Sequence, residues 1–138
     1  METFQTETAA EIGTARSRLV LLMAEFFRSL SYLDVRARLP GYPQPLLVNG
    51  SLRNHQPDVT AIQSDARATG ILLDAVPVEL LADPETESRW TLFHSAAELY
   101  GAEFHIAVPR VVGQILGPDA ARIRLRDLGI RAHYIWGV

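Results

Sequence analysis

The chain has 138 residues, no cysteine and a formal net charge of −3 at pH 7. This length fits one domain, and a composition of 48% hydrophobic and 21% charged residues excludes disorder of the whole chain. The lack of cysteine excludes disulfides, thiolate catalysis and thiolate zinc sites. Because Met1 to Thr8 is polar and Leu19 to Met23 is too short to cross a bilayer, we expect a cytoplasmic protein without export signal or membrane contact.

Charge is unevenly distributed along the chain. Residues 14–53 contain six arginines and two acids, and residues 110–131 contain five arginines and two acids. Between these basic flanks, residues 54–103 contain nine acids and two arginines. An acidic segment between basic flanks suits metal-assisted chemistry on phosphate, although solvated charged faces give the same pattern. No lysine occurs anywhere in the chain.

The first predicted element is a helix that begins at a capping box of Thr8 and Glu11 and ends near Leu30. Its apolar residues recur every three or four positions, which predicts one buried stripe. They are Ile12, Ala15, Leu19, Leu22, Met23, Phe26 and Leu30. Three prolines and a glycine within residues 40–45 predict a non-helical connection, and Leu46 to Leu52 follows as a short strand.

Two further strands are predicted to form a hairpin. Val59 to Gln63 is β-branched and apolar, and Ser64 to Gly70 has the small polar residues of a turn. Ile71 to Val78 is a nearly continuous apolar run that is interrupted by Asp74. Such a run is typical of a central strand covered on both faces, and Pro77 is expected near its end.

The next segment contains a helix and a strand. Asp83 as N-cap and Pro84 at the first helical position begin a helix that Gly101 ends. Glu103 to Pro109 is predicted to be a strand. Val111 to Leu116 is ambiguous, and we predict a short helical turn there.

A third helix is predicted from Pro118 to the residue before Gly129, and Arg131 to Val138 is predicted to close the sheet. The order of elements is therefore αβββαβαβ. It predicts a single α/β domain over residues 1–138, with a central mixed sheet of about five strands flanked by helices. The apolar segment Tyr134 to Val138 is a candidate edge strand that pairs with a second copy in a homodimer.

Asp58 and Asp74 are the candidate metal ligands. They lie sixteen residues apart across the predicted hairpin, a spacing that can bring the start of one strand beside the middle of its neighbour. Two carboxylates can then converge on a hard cation such as Mg²⁺, whose shell is completed by water and phosphate oxygens. The four histidines show no paired spacing typical of zinc, so no structural zinc is expected.

The elements around these acids resemble the PD-(D/E)xK nuclease superfamily, and small bacterial members of it most of all. The resemblance covers roughly residues 46–138, and the first helix corresponds to the helix that precedes this core in the family. It is carried by Pro57-Asp58, the strand with Asp74, a helix with Trp90, and the segment Gly101 to Pro109. It implies a restriction-endonuclease-like fold.

The resemblance also implies roles for individual residues. Asp58 and Asp74 would bind Mg²⁺, and the residue two positions after Asp74 would poise the attacking water. That residue is usually lysine in the family, but here it is Val76, which can neither donate nor accept a proton. Arg89 and His94 on the second helix are candidate substitutes, of which the arginine would stabilise phosphate charge rather than act as a base.

Three further residues are candidates for the site. Glu25 on the first helix is a candidate third metal ligand, because some relatives have an acid there. Glu79 could poise the water if Pro77 redirects its strand, although in an unbroken strand it faces away from Asp74. His55 could be a further ligand. Each also has a structural interpretation, as a solvated helix flank, an outward strand residue or a loop histidine.

Three functions remain open at this point. The first is a domain that keeps the nuclease fold without cleavage and binds nucleic acid or a protein partner. The second is an active Mg²⁺-dependent endonuclease with a divergent site. The third is an unrelated structural or interaction role in which the positions of Asp58 and Asp74 are coincidental. Val76 at the lysine position favours the first.

Overall fold

A computed structural model of the chain describes residues 9–138, so the predicted capping residue Thr8 lies outside the described part. In this described part, three α-helices pack around a five-stranded mixed sheet, which confirms the predicted α/β class. The helices are α1 (Ala9–Ser29), α2 (Pro84–Tyr100) and α3 (Gly117–Leu128). The strands of this sheet are β1 (Leu33–Ala37), β2 (Val59–Ile62), β3 (Gly70–Ala75), β4 (Glu103–Val108) and β7 (Tyr134–Gly137). A separate hairpin consists of β5 (Val111–Val112) and β6 (Ile115–Leu116).

The strands of the main sheet lie in the order β1-β2-β3-β4-β7. The first three form an antiparallel meander, and β3, β4 and β7 are parallel to one another. The parallel connections run through α2 and α3, as the predicted crossovers require. Within residues 9–138, none of the helices is both long enough and apolar enough to cross a membrane.

Helices cover both faces of the sheet. On one face, α1 packs against alternate residues of β1, β2 and β3. On the other face, α2 and α3 pack against β4 and the end of β3, around Trp90, Phe93, Phe104 and Ile106. Because side chains alternate along a strand, Asp74 lies between the α1-facing residues Leu73 and Ala75 and points to the α2 face.

The ends of α2 and α3 are where the local signals predict them. The Asp83 carboxylate accepts a hydrogen bond from the Glu85 amide at the start of α2. Gly101 and Gly129 end α2 and α3, each with the positive φ angle of 67° that glycine adopts without strain. These boundaries depend on side-chain and backbone groups a few residues apart, so they can be derived from sequence.

The first predicted strand is wrong. Leu46 to Leu52 forms no strand, and its one ladder contact is an isolated bridge between Val48 and His55. The place beside β2 is taken by Leu33–Ala37 instead. The signal for this strand was present, because Leu33–Ala37 alternates apolar and charged residues, whereas Leu46 and Leu47 are consecutive and both exposed.

Two other predictions need correction. Val111 to Leu116 is the β5–β6 hairpin rather than a helical turn. The buried stripe of α1 is also displaced by about one residue, because Val20, Ala24 and Phe27 are buried while Leu22, Phe26 and Leu30 are 46%, 39% and 40% exposed. A helix with apolar residues on two adjacent sides does not indicate which side faces the sheet.

Candidate functional site

The β2–β3 hairpin brings Asp58 and Asp74 to neighbouring positions. Val59 pairs with Leu73 at the end of the β2–β3 register. Asp58 comes directly before Val59, Asp74 comes directly after Leu73, and the Asp58 amide donates to the Leu73 carbonyl at 2.9 Å. Their side chains are 1% and 0% exposed. Two buried carboxylates this close repel each other unless a cation lies between them.

Asp74 is held by two consecutive residues of α2. Its Oδ1 accepts a hydrogen bond of 2.9 Å from Arg89 Nε and lies 2.7 Å from Arg89 Nη2. Its Oδ2 accepts a hydrogen bond of 2.9 Å from Trp90 Nε1. Both oxygens therefore have strong donors from the protein itself.

Asp58 is surrounded by donors from four different segments. Its Oδ2 accepts a 2.8 Å hydrogen bond from the Ala75 amide and lies 3.6 Å from Arg89 Nη2. Its Oδ1 accepts a 3.3 Å hydrogen bond from Arg38 Nη1. Arg16 of α1 lies 3.9 Å from Oδ2 and donates to the Ala75 carbonyl at 2.8 Å. Three arginines thus converge on two carboxylates, a group of five residues that we call the Asp–Arg cluster.

Arg89 is the centre of the Asp–Arg cluster. It is 5% exposed, and its Nη2 also donates to the Gln56 carbonyl at 2.8 Å. The guanidinium lies over the ring of Phe93, 5.0 Å from the ring centre. Burial alone would lower the pKa of Arg89, but the two aspartates outweigh burial and raise it, so this residue is a permanent cation.

Burial and neighbouring charge give the two aspartates different proton affinities. Burial, followed by repulsion from Asp74, raises the pKa of Asp58 from 3.8 to about 7. Burial acts in the same direction on Asp74, but Arg89 and Arg16 outweigh it and lower the pKa of Asp74. Below about pH 7, Asp58 is therefore the protonated member of the pair, while Asp74 is the carboxylate that pairs with Arg89.

The connection between β1 and β2 covers the cluster. Its two arms are joined by reciprocal backbone hydrogen bonds between Val48 and His55 and by a hydrogen bond from Gln56 Nε2 to the Pro45 carbonyl. His55 Nε2 lies 2.8 Å from the hydroxyl of Ser88 on α2. His55 is therefore a buried structural residue whose ring connects this segment to α2.

The other predicted site residues lie elsewhere. Val76 is fully buried among the apolar residues of the α2 face, two positions beyond Asp74 on the same side of the chain. His94 contacts the Arg131 carbonyl and Glu98, and Glu79 is exposed on a short 3₁₀ helix. Glu25 is exposed on α1, nine residues beyond Arg16 and therefore roughly 13 Å further along the helix axis.

The residues that sequence reasoning missed are Arg16 and Arg38, together with the role of Trp90 as a donor. Arg16 carried a weak signal, because it lies four residues after Ile12 and three before Leu19, beside the apolar stripe of α1. No local sequence pattern predicted the contact between Arg38 and Asp58, because this contact depends on β1 lying beside β2. Within residues 9–138, no three His, Asp or Glu side chains lie close enough together to hold a metal ion.

A groove of about 420 Å³ lies on the same face of the sheet, over β1 to β3. Thr60 and Leu72 form part of its floor, and each is two residues from one of the paired aspartates. Leu46 and Tyr100 lie on its walls, and Arg36 stands at one side. The lining is mostly apolar, so the groove suits an apolar group better than a phosphate.

Comparisons with known proteins give no relative for this chain: no protein-family model, no curated protein and no solved structure matches it.

Proposed function

We propose that this chain is a nucleic-acid-binding domain of restriction-endonuclease-like fold that does not cleave its ligand. The observation that carries this proposal is the position of Arg89, which lies between Asp58 and Asp74 where two converging carboxylates would otherwise bind a divalent cation. Apart from the β5–β6 hairpin and one short 3₁₀ helix, the elements follow the order αβββαβαβ, and this order supports the fold assignment together with the mixed sheet and the helices on both of its faces.

The donor set does not fit Mg²⁺ as it stands. Both oxygens of Asp74 accept hydrogen bonds from Arg89 and Trp90, and both carboxylates are almost wholly buried. Mg²⁺ requires near-octahedral oxygen ligands and retains several waters, whereas the guanidinium fills this space with a fixed single charge. Val76 adds no group that could accept a proton from water.

The charge of the Asp–Arg cluster supports binding of an anion. Three arginines face two aspartates, and the raised pKa of Asp58 leaves one of those aspartates protonated below about pH 7. The cluster is therefore locally positive in a chain of net charge −3. The side chains of Arg16 and Arg38 are 23% and 41% exposed, so both can reach a phosphate from the buried site.

The location of these arginines supports the same ligand class. Arg16 binds the carbonyl of Ala75, the last residue of β3, and Arg38 immediately follows β1. Both are thus at the edge of the sheet where β1 and β3 end. In open α/β sheets this carboxyl edge is where ligands commonly bind. A run of phosphates is the polyanion that would use several arginines at once.

The direct test is fluorescence anisotropy with labelled DNA and RNA, single-stranded and duplex, over a series of salt concentrations. The double variant Arg16→Gln and Arg38→Gln should weaken binding of all sequences alike and lower the salt slope by roughly 0.7–0.9 per lost phosphate contact. Arg67→Gln is the matched control. It makes the same kind of substitution at one arginine on the exposed β2–β3 turn, at the opposite end of the sheet, and it should leave binding unchanged.

Two outcomes would overturn the proposal. Absence of binding to every nucleic acid at low salt would favour a protein partner for this face. Cleavage of any of these substrates with Mg²⁺ or Mn²⁺, abolished by Asp58→Ala and by Asp74→Ala, would show that the chain is an active endonuclease and that Arg89 moves aside for a metal.

A further inference from the structure

The two edges of the main sheet differ in how they are protected. At the β1 edge, the register shifts between Leu33 and Arg36, and Asp34 adopts a positive φ angle of 49°. The Ala37 amide donates to the Pro43 carbonyl at 3.0 Å, so the following connection covers part of this edge. Irregular backbone, charged side chains and a covering segment are the usual means of preventing pairing with another strand.

In the part of the chain that the structure describes, the β7 edge has none of these protections. Its sequence is Tyr134-Ile135-Trp136-Gly137, without charge or proline, and its register with β4 is regular. Within residues 9–138, β4 is its one neighbour in the sheet. A regular, uncharged edge strand of this kind is a template for a further strand.

The alternation of backbone hydrogen bonds along β7 shows which of its N–H and C=O groups do not bond to β4. The Val138 amide donates to the Val108 carbonyl at 2.9 Å, and the Val138 carbonyl accepts from the Arg110 amide at 2.9 Å. In a parallel ladder the backbone groups of alternate residues point to the same side. Tyr134 and Trp136 therefore bond towards β4, and the N–H and C=O groups of Ile135 point away from the sheet.

An exposed apolar row on α1 continues this edge. Leu22, Phe26 and Leu30 follow one another at four-residue spacing and are 39–46% exposed. The ring of Phe26 packs edge-on against Trp136, with ring centres 5.3 Å apart. Trp136 in turn stacks on Tyr134, which is 55% exposed. The row and the strand thus form one surface, which we call the α1–β7 surface.

We propose that the α1–β7 surface binds a second copy of this chain, with the two β7 strands antiparallel across a two-fold axis. In a register centred on Ile135, each copy's Ile135 donates to and accepts from the same residue of the other copy. Tyr134 then stands opposite the second copy's Trp136, an aromatic pairing that stabilises facing strands.

Self-complementarity is the reason for choosing a second copy as the occupant. A two-fold interface uses the same surface patch of both copies, so the patch must be complementary to itself. The α1–β7 surface meets this requirement, because it offers backbone N–H and C=O groups on one residue and uncharged apolar side chains around them. Four residues of strand bury little area. The row on α1 is needed to approach the roughly 800 Å² per partner of a stable interface.

Light scattering during size-exclusion chromatography tests the proposal. The wild-type chain should have twice the monomer mass of 15.3 kDa. Tyr134→Lys places a charge on the β7 edge and should return the mass to that of one chain. Leu33→Lys is the matched control, because Leu33 is also 55% exposed and lies on the protected β1 edge. It should leave the dimer intact.

Hydrogen exchange gives a second readout that requires no variant. The amide of Ile135 should exchange slowly at high protein concentration and rapidly on dilution, whereas the Val138 amide, bonded within the chain, should not respond. A wild-type mass of 15.3 kDa at every concentration tested would overturn the proposal. So would a folded Tyr134→Lys variant that remains dimeric, or exchange at Ile135 that does not depend on concentration.

Discussion

The guanidinium of Arg89 lies 2.7 Å from Oδ1 of Asp74, and both side chains are almost wholly buried. The arginine comes from a helix and the aspartate from the central strand β3, so this ion pair joins the two layers of the fold. Removing a buried ion pair from water costs free energy. Here that cost is offset by further partners of the pair, namely the carboxylate of Asp58, the carbonyl of Gln56 and the indole N–H of Trp90. The effects of removing these side chains on the free energy of unfolding should therefore not be additive.

Removal of the Arg89 side chain should destabilise the protein strongly. Arg89→Ala leaves two buried carboxylates without their shared cation, which typically costs about 3–5 kcal/mol. Urea unfolding followed by circular dichroism measures this free energy. Arg67→Ala, on an exposed turn, should change it by less than about 0.5 kcal/mol. A combined variant with Arg89→Met, Asp58→Asn and Asp74→Asn should recover part of the lost stability. If Arg89→Ala destabilises the protein no more than Arg67→Ala does, the ion pair does not stabilise the fold as proposed.

The stability of the protein should depend on pH through Asp58. Its pKa is raised to about 7 in the folded state, against 3.8 for an unperturbed aspartate. Between these values the folded state binds one more proton than the unfolded state, so the free energy of unfolding falls as pH rises from about 4 to 7, by at most about 1.4 kcal/mol per pH unit. Asp74, whose pKa is lowered, contributes stability above pH 4 and loses it at lower pH, outside this window.

Comparison of wild type with Asp58→Asn isolates this dependence. The asparagine does not titrate, so the difference in unfolding free energy between the two proteins should shrink or change sign as pH rises from 5 to 7. Burial lowers the pKa values of His55 and His105, but both proteins contain these histidines, so their contributions cancel in the difference. Parallel stability curves would show that Asp58 is ionised throughout.

Trp90 should stabilise the fold through its indole nitrogen as well as through its volume. Trp90→Phe retains most of the buried ring area but leaves Oδ2 of Asp74 without its donor. The cost of such an unsatisfied buried oxygen is about 1–3 kcal/mol in the free energy of unfolding. Tyr100→Phe is the control, since its side chain is 76% exposed. Equal stability of the two variants would assign the role of Trp90 to packing alone.

Two glycines should respond in opposite ways to replacement by alanine. A Cβ at Gly117 would overlap the carbonyl oxygen of Pro109, so Gly117→Ala requires movement of backbone where β4 connects to α3, and the protein should be destabilised. At Gly13, inside α1, a Cβ meets nothing within 4 Å. Gly13→Ala should therefore raise the free energy of unfolding by about 0.5–1 kcal/mol through helix propensity. Thermal unfolding of both variants checks the signs.

Much of the fold follows from short-range patterns. The caps of α2, the glycines that end α2 and α3, and the β2–β3 hairpin were all predictable, because each depends on residues close together in sequence. The same hairpin brings Asp58, directly before β2, near Asp74 of β3. The choice of Leu46 to Leu52 as the first strand was wrong, although the alternation of apolar and charged residues in Leu33–Ala37 was a local signal for the strand that pairs with β2 and packs against α1.

The sequence by itself determined the α/β class, the hairpin and the neighbouring positions of two acids. Only the tertiary structure decided what surrounds those acids: Arg16 from α1, Arg38 from the end of β1 and Arg89 from α2. The physical reason is the separation along the sequence of the groups that interact. Secondary structure and register depend on groups within about a dozen residues, whereas the charge and proton affinity of a buried site depend on side chains that folding brings from distant segments.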